Sequence, residues 1–292
     1  MRIVVVGATG LIGRHLVTAL GSRGDDVVAV TRRATTLDGR DSFVWDPSTG
    51  APPSTLLDGV DAIVNLAGAP IAPGRWTAAR RASIHDSRVG TTQLLVSAMA
   101  GHHVSVLVNA SAVGFYGASE QPVGEQAPPG RGYLADLCVE WEQAASSAPA
   151  RVVIARMGVV LDRDGGAFPV LWRVARLGAL GRLGDGRQWV PWIHVDDEVG
   201  ALVHCLDHDL SGPVNFVAPE AVRQDELARA LRHRAHRPWA PPTPAVVVRA
   251  GLGEAASLVL EGARVVPDAL VSSGYAHRFA TLDGALDDLV GT

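Results

Sequence analysis

The chain opens Met1-Arg-Ile-Val-Val-Val6-Gly7-Ala-Thr-Gly10-Leu-Ile-Gly13, an aliphatic run that passes directly into three spaced glycines. The first six residues, most of them β-branched, read as a strand buried on both faces. Gly7 permits the tight turn that leaves the strand, and Gly10 lets a backbone approach a pyrophosphate. Gly13 lets the next helix, Arg14 to Leu20, pack close to the strand. The N-terminus of that helix offers free N–H groups and a partial positive charge. A second strand at 27–30 completes the context in which this glycine spacing reads as dinucleotide binding rather than as a bare turn. Gly7, Thr9, Gly10, Leu11, Ile12 and Gly13 are the candidate cofactor contacts of this loop.

Outward from this unit, strands and helices alternate, the pattern of a parallel sheet. Further strands are expected at 43–45, 62–66, 105–109 and 151–155, and helices at 80–100 and 133–148. Past residue 159 the regularity loosens. A helix at 168–180, a glycine-rich loop at 181–188, a strand at 189–195 and a helix at 196–206 capped by Asp196 or Asp197 are expected. A late strand at 214–217 returns to the sheet, and a helix follows at 223–236. The stretch Pro238-Trp-Ala-Pro-Pro-Thr-Pro244 reads as an extended connector to a tail of short helices. The expected fold is α/β: a doubly wound, Rossmann-like parallel sheet with a smaller, mostly helical C-terminal lobe. The cofactor domain takes 1–158 and about 190–218; the substrate lobe takes 159–189 and 219–292.

Composition narrows the function class. The 292 residues carry a net charge of −4, which argues against a nucleic-acid or anionic-membrane surface. No apolar run reaches the length of a membrane span, and the first strand is too short for a signal sequence. A cytoplasmic location is expected. Cys138 and Cys205 match no disulfide framework and no metal spacing, and read as small buried hydrophobes, so no metal is expected. Every basic residue is arginine; there is no lysine.

The end of the second strand reads Ala29-Val30-Thr31-Arg32-Arg33, with no carboxylate to bind a ribose 2′-hydroxyl. Thr31 offers a hydrogen bond, and Arg32 a fork for a 2′-phosphate and a face for adenine. The expected cofactor is NADP(H). The plainer alternative is two arginines on a solvated loop.

Taken with this loop, the motifs Asn65-Leu-Ala-Gly68, Ser111-Ala-Val-Gly-Phe-Tyr-Gly117 and Trp192-Ile-His-Val-Asp-Asp197 resemble those of the extended short-chain dehydrogenase/reductases. Within these the chain is similar to an atypical group, the "epimerase family proteins". Trp45-Asp-Pro47, Ser87-Arg88-Val89, Trp141-Glu142, Arg156-Met-Gly-Val-Val-Leu161 and Gly184-Asp-Gly-Arg-Gln-Trp189 extend the resemblance over most of the chain. The resemblance implies that Leu66 and Ala67 line the cofactor and that Arg88 reaches it. It implies a small-molecule substrate, and a homodimer through two long helices. It also implies a serine, a tyrosine and, four residues after the tyrosine, a lysine that lowers the tyrosine pKa.

Ser111 and Tyr133 match the first two roles, but Leu137 stands where the lysine belongs. An unassisted tyrosine, with a pKa near ~10, is phenolate in only about one molecule in a thousand at pH 7. It is a poor base and a usable acid, so reduction suffers less than oxidation. Tyr116, five residues beyond Ser111, is the alternative proton donor, and Arg131 a nearby cation. Arg187, Gln188, Trp189 and Trp192 are candidate grips on an anionic or planar substrate. His194, Asp196 and Asp197 read as a strand end and a helix cap, and Glu140 and Glu142 as a solvated helix face. The leading expectation is an NADP(H)-dependent oxidoreductase that reduces a small carbonyl or a nucleotide-sugar-like compound. A non-catalytic NADP(H) sensor and a sugar epimerase are the alternatives.

Overall fold

Along the first strand, β1 (Arg2–Val6), Ile3 and Val5 point to one face and Val4 and Val6 to the other, and all four are buried. A strand apolar on both sides must lie inside a sheet covered by two layers. The structure, a computed structural model, describes residues 1–72 and 74–291. Six more strands join β1: β2 (Asp26–Thr31), β3 (Phe43–Val44), β4 (Ala62–Asn65), β5 (Val106–Ala112), β6 (Arg151–Met157) and β7 (Gly212–Phe216). Their order is β7-β6-β5-β4-β1-β2-β3, and every pairing is parallel. The order reverses between β1 and β4, and the crevice for a ligand opens at the carboxyl ends of those strands.

Two helical layers cover the sheet. On one face Leu16, Val17 and Leu20 of α1 (Leu11–Arg23) pack with Ile3, Val5 and the later helix of residues 195–207. On the other, Val4, Val6, Ile63 and Leu107 meet Leu95 and Met99. Each such aliphatic side chain contributes roughly 1.5–3 kcal/mol when fully buried. The single helix expected at 80–100 is three pieces: α2 (Ala78–His85), a π-turn at Asp86–Gly90, and α3 (Thr91–Ala98). Thr77 caps α2 through its side chain. The helix α4 (Tyr133–Ser146) follows as expected.

Three expectations need correction. Residues 189–195 do not form one strand. Pro191, which cannot donate a ladder hydrogen bond, splits them. Trp189–Val190 pairs antiparallel with Val222–Arg223, and Trp192–His194 pairs parallel with Val159–Asp162. Beyond α5 (Phe168–Arg176), the helix α6 (Val195–Asp207) is capped neither by Asp196 nor by Asp197. His194 does it, its Nδ1 accepting from the Asp196 N–H at 3.2 Å. Asp197 instead holds the tail, accepting from the backbone N–H groups of Arg278 (2.7 Å) and Phe279 (2.8 Å). The tail also supplies an unexpected strand, Ala263–Val265, which pairs with Ser119–Val123 beyond β5. Cys138 and Cys205 are free and buried. No helix of the described residues is long and apolar enough to cross a membrane.

Burial holds the His194 imidazole below the ordinary histidine pKa, against the pull of Asp196, Asp288 and Asp197. A group whose folded pKa is depressed stabilises the fold above its unfolded pKa of about 6.5, and that stability is lost as pH falls through the folded value. The unfolding free-energy difference between the wild type and His194→Asn should therefore be largest above neutral pH and shrink toward pH 5. A difference that stays flat in denaturant titrations across this range would show that His194 is not held neutral.

Candidate functional site

At the carboxyl end of β1 the chain turns at Gly7 with φ 82°, and a Cβ there would lie 2.8 Å from the Leu66 carbonyl oxygen. Gly13, in the first turn of α1, passes so near that a Cβ would overlap the Gly7 carbonyl oxygen. Both glycines are thus demanded by backbone-to-backbone approach. Gly10 caps α1 without any side-chain hydrogen bond, and no acidic residue stands in the first turn. The first-turn N–H groups have no side chain to satisfy them, and Thr9 and Gly10 beside them are exposed. This is a cradle for phosphate, and the residues fit a dinucleotide.

The adenosine end is organised differently from the sequence expectation. The Thr31 hydroxyl donates to the Arg33 carbonyl oxygen at 2.7 Å and lies 2.7 Å from Ser42 Oγ. Its proton shapes the turn that presents Arg32 and Arg33; it is not aimed outward. Both arginines are exposed. Asp46, remote in sequence, comes near them: its carboxyl is held below the usual range by the Ser48 backbone N–H and hydroxyl, and also by the charges of Arg32 and Arg33. Leu66 and Ala67, half-buried, continue the crevice beyond β4. The Arg88 guanidinium lies alongside them, donating from Nη1 to the carbonyl oxygens of Ala69 (3.0 Å) and Ile84 (3.3 Å).

Ser111 lies near the end of β5 and is only 3% exposed. The structure brings it together with Glu142, not with either candidate tyrosine. Its hydroxyl donates to Glu142 Oε1 at 2.6 Å. The same carboxylate takes Arg156 Nε at 2.9 Å and Nη2 at 2.7 Å, a bidentate pair. Glu142 is therefore no solvated charge: Arg156 sits inside β6 and needs a counter-charge there. The network continues through Tyr116, whose hydroxyl accepts from Arg156 Nη1 at 2.8 Å and donates to Asn215 Oδ1 at 2.6 Å. Burial raises the Tyr116 pKa, while the hydrogen bond from Arg156 works to lower it.

Tyr133 is turned away from Ser111 by the phase of α4. Leu134 faces Gly114, Cys138 reaches the Ala112 carbonyl at 3.7 Å, and Glu142 reaches Ser111, so one stripe at four-residue spacing faces the end of β5. Tyr133 lies one position round the helix. Its hydroxyl donates to the Arg81 carbonyl oxygen at 3.2 Å, and its ring packs against Trp76 at 5.1 Å. Burial raises its pKa, opposed by the charges of Arg88 and Arg81; Arg131 is not among them. Leu137 is buried against Trp76, Ile84 and Trp141. Burial also pushes the Cys138 thiol up to about 11, so it stays protonated.

Of the four substrate candidates, Trp192 is core, with Nε1 donating to the Glu220 carbonyl oxygen at 3.0 Å. Gln188 Nε2 is occupied by the carbonyl oxygens of Leu183 (3.2 Å) and Val259 (2.7 Å). Trp189 remains in play: Arg223 lies 4.0 Å from its ring centroid and Arg264 5.3 Å. Arg187 is exposed nearby, and Arg223 pairs with Glu120 at 2.9 Å. Sequence reasoning missed Glu142, Arg156, Asn215, Arg223 and Arg264. One signal was present: an arginine within a strand as apolar as 151–157 requires a buried partner.

The description "NAD dependent epimerase/dehydratase family" matches residues 3–217, and a domain of unknown function, DUF1731, matches residues 243–289. An epimerase family protein of Mycobacterium tuberculosis (strain CDC 1551 / Oshkosh) is 40% identical over 290 residues, covering 97% of this chain and 96% of that protein. The epimerase family protein SDR39U1 of Bos taurus is 36% identical over 301 residues, covering 99% and 100%. The crystal structure of human SDR39U1 (isoform2) with NADPH superimposes with a TM-score of 0.90 at 34% identity, covering 100% of both chains.

The Glu142–Arg156 pair gives a direct test. Glu142→Ala strands a buried guanidinium and should cost about 3–5 kcal/mol in chemical denaturation. Glu142→Ala combined with Arg156→Met should recover most of that. A single variant as stable as the wild type would mean that Arg156 reaches water.

Proposed function

The chain belongs to the NAD dependent epimerase/dehydratase family, and on that footing we propose that it is an NADP(H)-dependent oxidoreductase of the extended short-chain type. Its substrate is a small carbonyl or nucleotide-sugar-like compound, which it reduces. The observation that carries the cofactor reading is the α1 N-terminus, bare of side-chain caps and crossed by Gly7 and Gly13, beside the exposed arginines after β2. NADPH in the human relative, which covers the whole chain, supports it. Arg32 and Arg33 favour the 2′-phosphate. When bound, the cofactor supplies the hydride.

The chain supplies position and a proton. Ser111 is fixed at the end of β5 by Glu142. Tyr133 is the candidate donor, because burial raises the pKa of its phenol and, among the described residues, its hydroxyl makes one hydrogen bond, to the Arg81 carbonyl at 3.2 Å. A raised pKa disfavours phenolate, so the group serves as an acid through neutral pH and not as a base. That argues for reduction and against the oxidative first step of an epimerase. Tyr116 is less suited, its proton being held by Asn215 inside the buried network. The exposed Arg187 and the Trp189–Arg223 stack offer contacts to an anionic or planar part of the substrate.

One observation favours a second reading, a non-catalytic NADP(H) sensor: the hydroxyls of Ser111, Tyr116 and Tyr133 all donate to protein acceptors. Turnover separates the two. Oxidation of NADPH is expected with part of a carbonyl panel, while NADH binds at least about tenfold more weakly. Tyr133→Phe should cut turnover by about a hundredfold and leave NADPH affinity unchanged. Full turnover in that variant would remove the acid role. No NADPH oxidation with any carbonyl, despite tight binding, would favour the sensor.

A further inference from the structure

A cavity of about 500 Å³ lies between α5 and the C-terminal end of the last helix, Leu282–Val290, and shares no residue with the crevice. Its size is that of a small-molecule site. Phe168, Trp172, Leu289 and Val290 give it an apolar floor, with the Phe168 and Trp172 rings stacked at 6.3 Å and inclined by only 8°. Arg163, Arg173 and Arg176 stand around that floor, and no acidic residue lines the cavity. Leu177, 75% exposed, carries the apolar surface out to the solvent.

The acids of the neighbouring helix are committed elsewhere. Of its carboxylates, Asp283 (3.1 Å) and Asp287 (2.7 Å) pair with Arg234, and Asp288 lies 3.4 Å from His194 Nε2. Among the described residues, Arg163, Arg173 and Arg176 form no ion pair. Arg163 donates from Nη2 to the Asp288 carbonyl oxygen, while the guanidinium groups of Arg173 and Arg176 meet no protein acceptor. A cation in the last turn of α5 complements the helix dipole, but that does not account for three cations around one apolar floor. Like charges around one cavity raise one another's energy, and an anion among them removes that cost. A guanidinium fork matches a carboxylate through two parallel hydrogen bonds, and the floor beneath gains from covering an apolar body.

We propose that this cavity binds an organic acid with an apolar body, its carboxylate on Arg173 and Arg176 and its body on Phe168, Trp172, Leu289 and Val290. The site is separate from the dinucleotide crevice and does not depend on that reading. Calorimetric titration of the full chain compares dodecanoate with acetate, the head without the chain, and with dodecyltrimethylammonium, the chain with the opposite charge. Dodecanoate should bind one molecule per chain with a Kd on the order of 10 μM. Acetate should bind at least about a hundredfold more weakly, and the ammonium compound at least about tenfold more weakly. Arg173→Gln combined with Arg176→Gln, both at exposed positions, should weaken dodecanoate about tenfold or more, and Leu177→Asp should weaken it as well. Arg249→Gln, at an exposed arginine on the helix Ala245–Leu252, should leave it within about twofold. Dodecanoate that does not bind, or that binds the double glutamine variant as well as the wild type, would overturn the assignment. Equal binding of the ammonium compound would reduce the cavity to an apolar groove. Displacement of dodecanoate by saturating NADPH would move the acid to the crevice and overturn the proposal.

Discussion

Arg156 lies in the interior of β6, 4% exposed, between the second-layer helix α4 and the strands β5 and β7. A charge cannot stay there unpaired, since the cost of desolvation reaches several kcal/mol. Glu142 answers it from α4 with a bidentate carboxylate, and that pair sets the surroundings. It fixes the rotation of α4, because Glu142 must face the sheet. It orients Ser111 and, through Tyr116, engages Asn215 on β7. Asn215 donates in turn to the Val266 carbonyl of the tail at 2.8 Å, and Glu125 accepts from both Asn215 and Ala269. One buried ion pair thereby connects the carboxyl end of the sheet to the C-terminal module.

The two ends of the crevice follow different physics. At the start of α1 the available donors are backbone N–H groups, and what shapes the turn is the absence of side chains: no Cβ on Gly7 or Gly13, and no side-chain cap on α1. After β2 the available donors are the side chains of Arg32 and Arg33 on a turn held by the Thr31–Ser42 contact. Backbone sites tolerate almost no substitution and are legible in a linear pattern. Side-chain sites depend on what the turn brings near, and Asp46 arrives from fifteen residues after Thr31.

The side chains around Ser111 show the same division. Helical phase gave Leu134, Cys138 and Glu142 the stripe facing Ser111, and placed Tyr133 over α2. The spacing from Tyr133 to Leu137 suggests a site with one member missing. The structure has a carboxylate beside the serine, a tyrosine whose pKa burial raises, and an arginine carried on a π-turn. None of these three traits belongs to one residue and its spacing; each is a property of a neighbourhood.

The sequence by itself determined the parallel sheet, the glycine turn after its first strand and a late strand, read at 214–217, that returns to the sheet, because these follow from local conformational preference and apolar periodicity. It also determined that no lysine could serve the site. The tertiary structure alone decided where charge and polarity went. Glu142 reads as a solvated helix residue until Arg156 is placed opposite it, fourteen residues later on another element. Asp197 looks like a helix cap until the tail folds back to present two N–H groups to it. Burial and pairing are nonlocal: the energy of a charge depends on the atoms around it, and only the folded chain brings those atoms together.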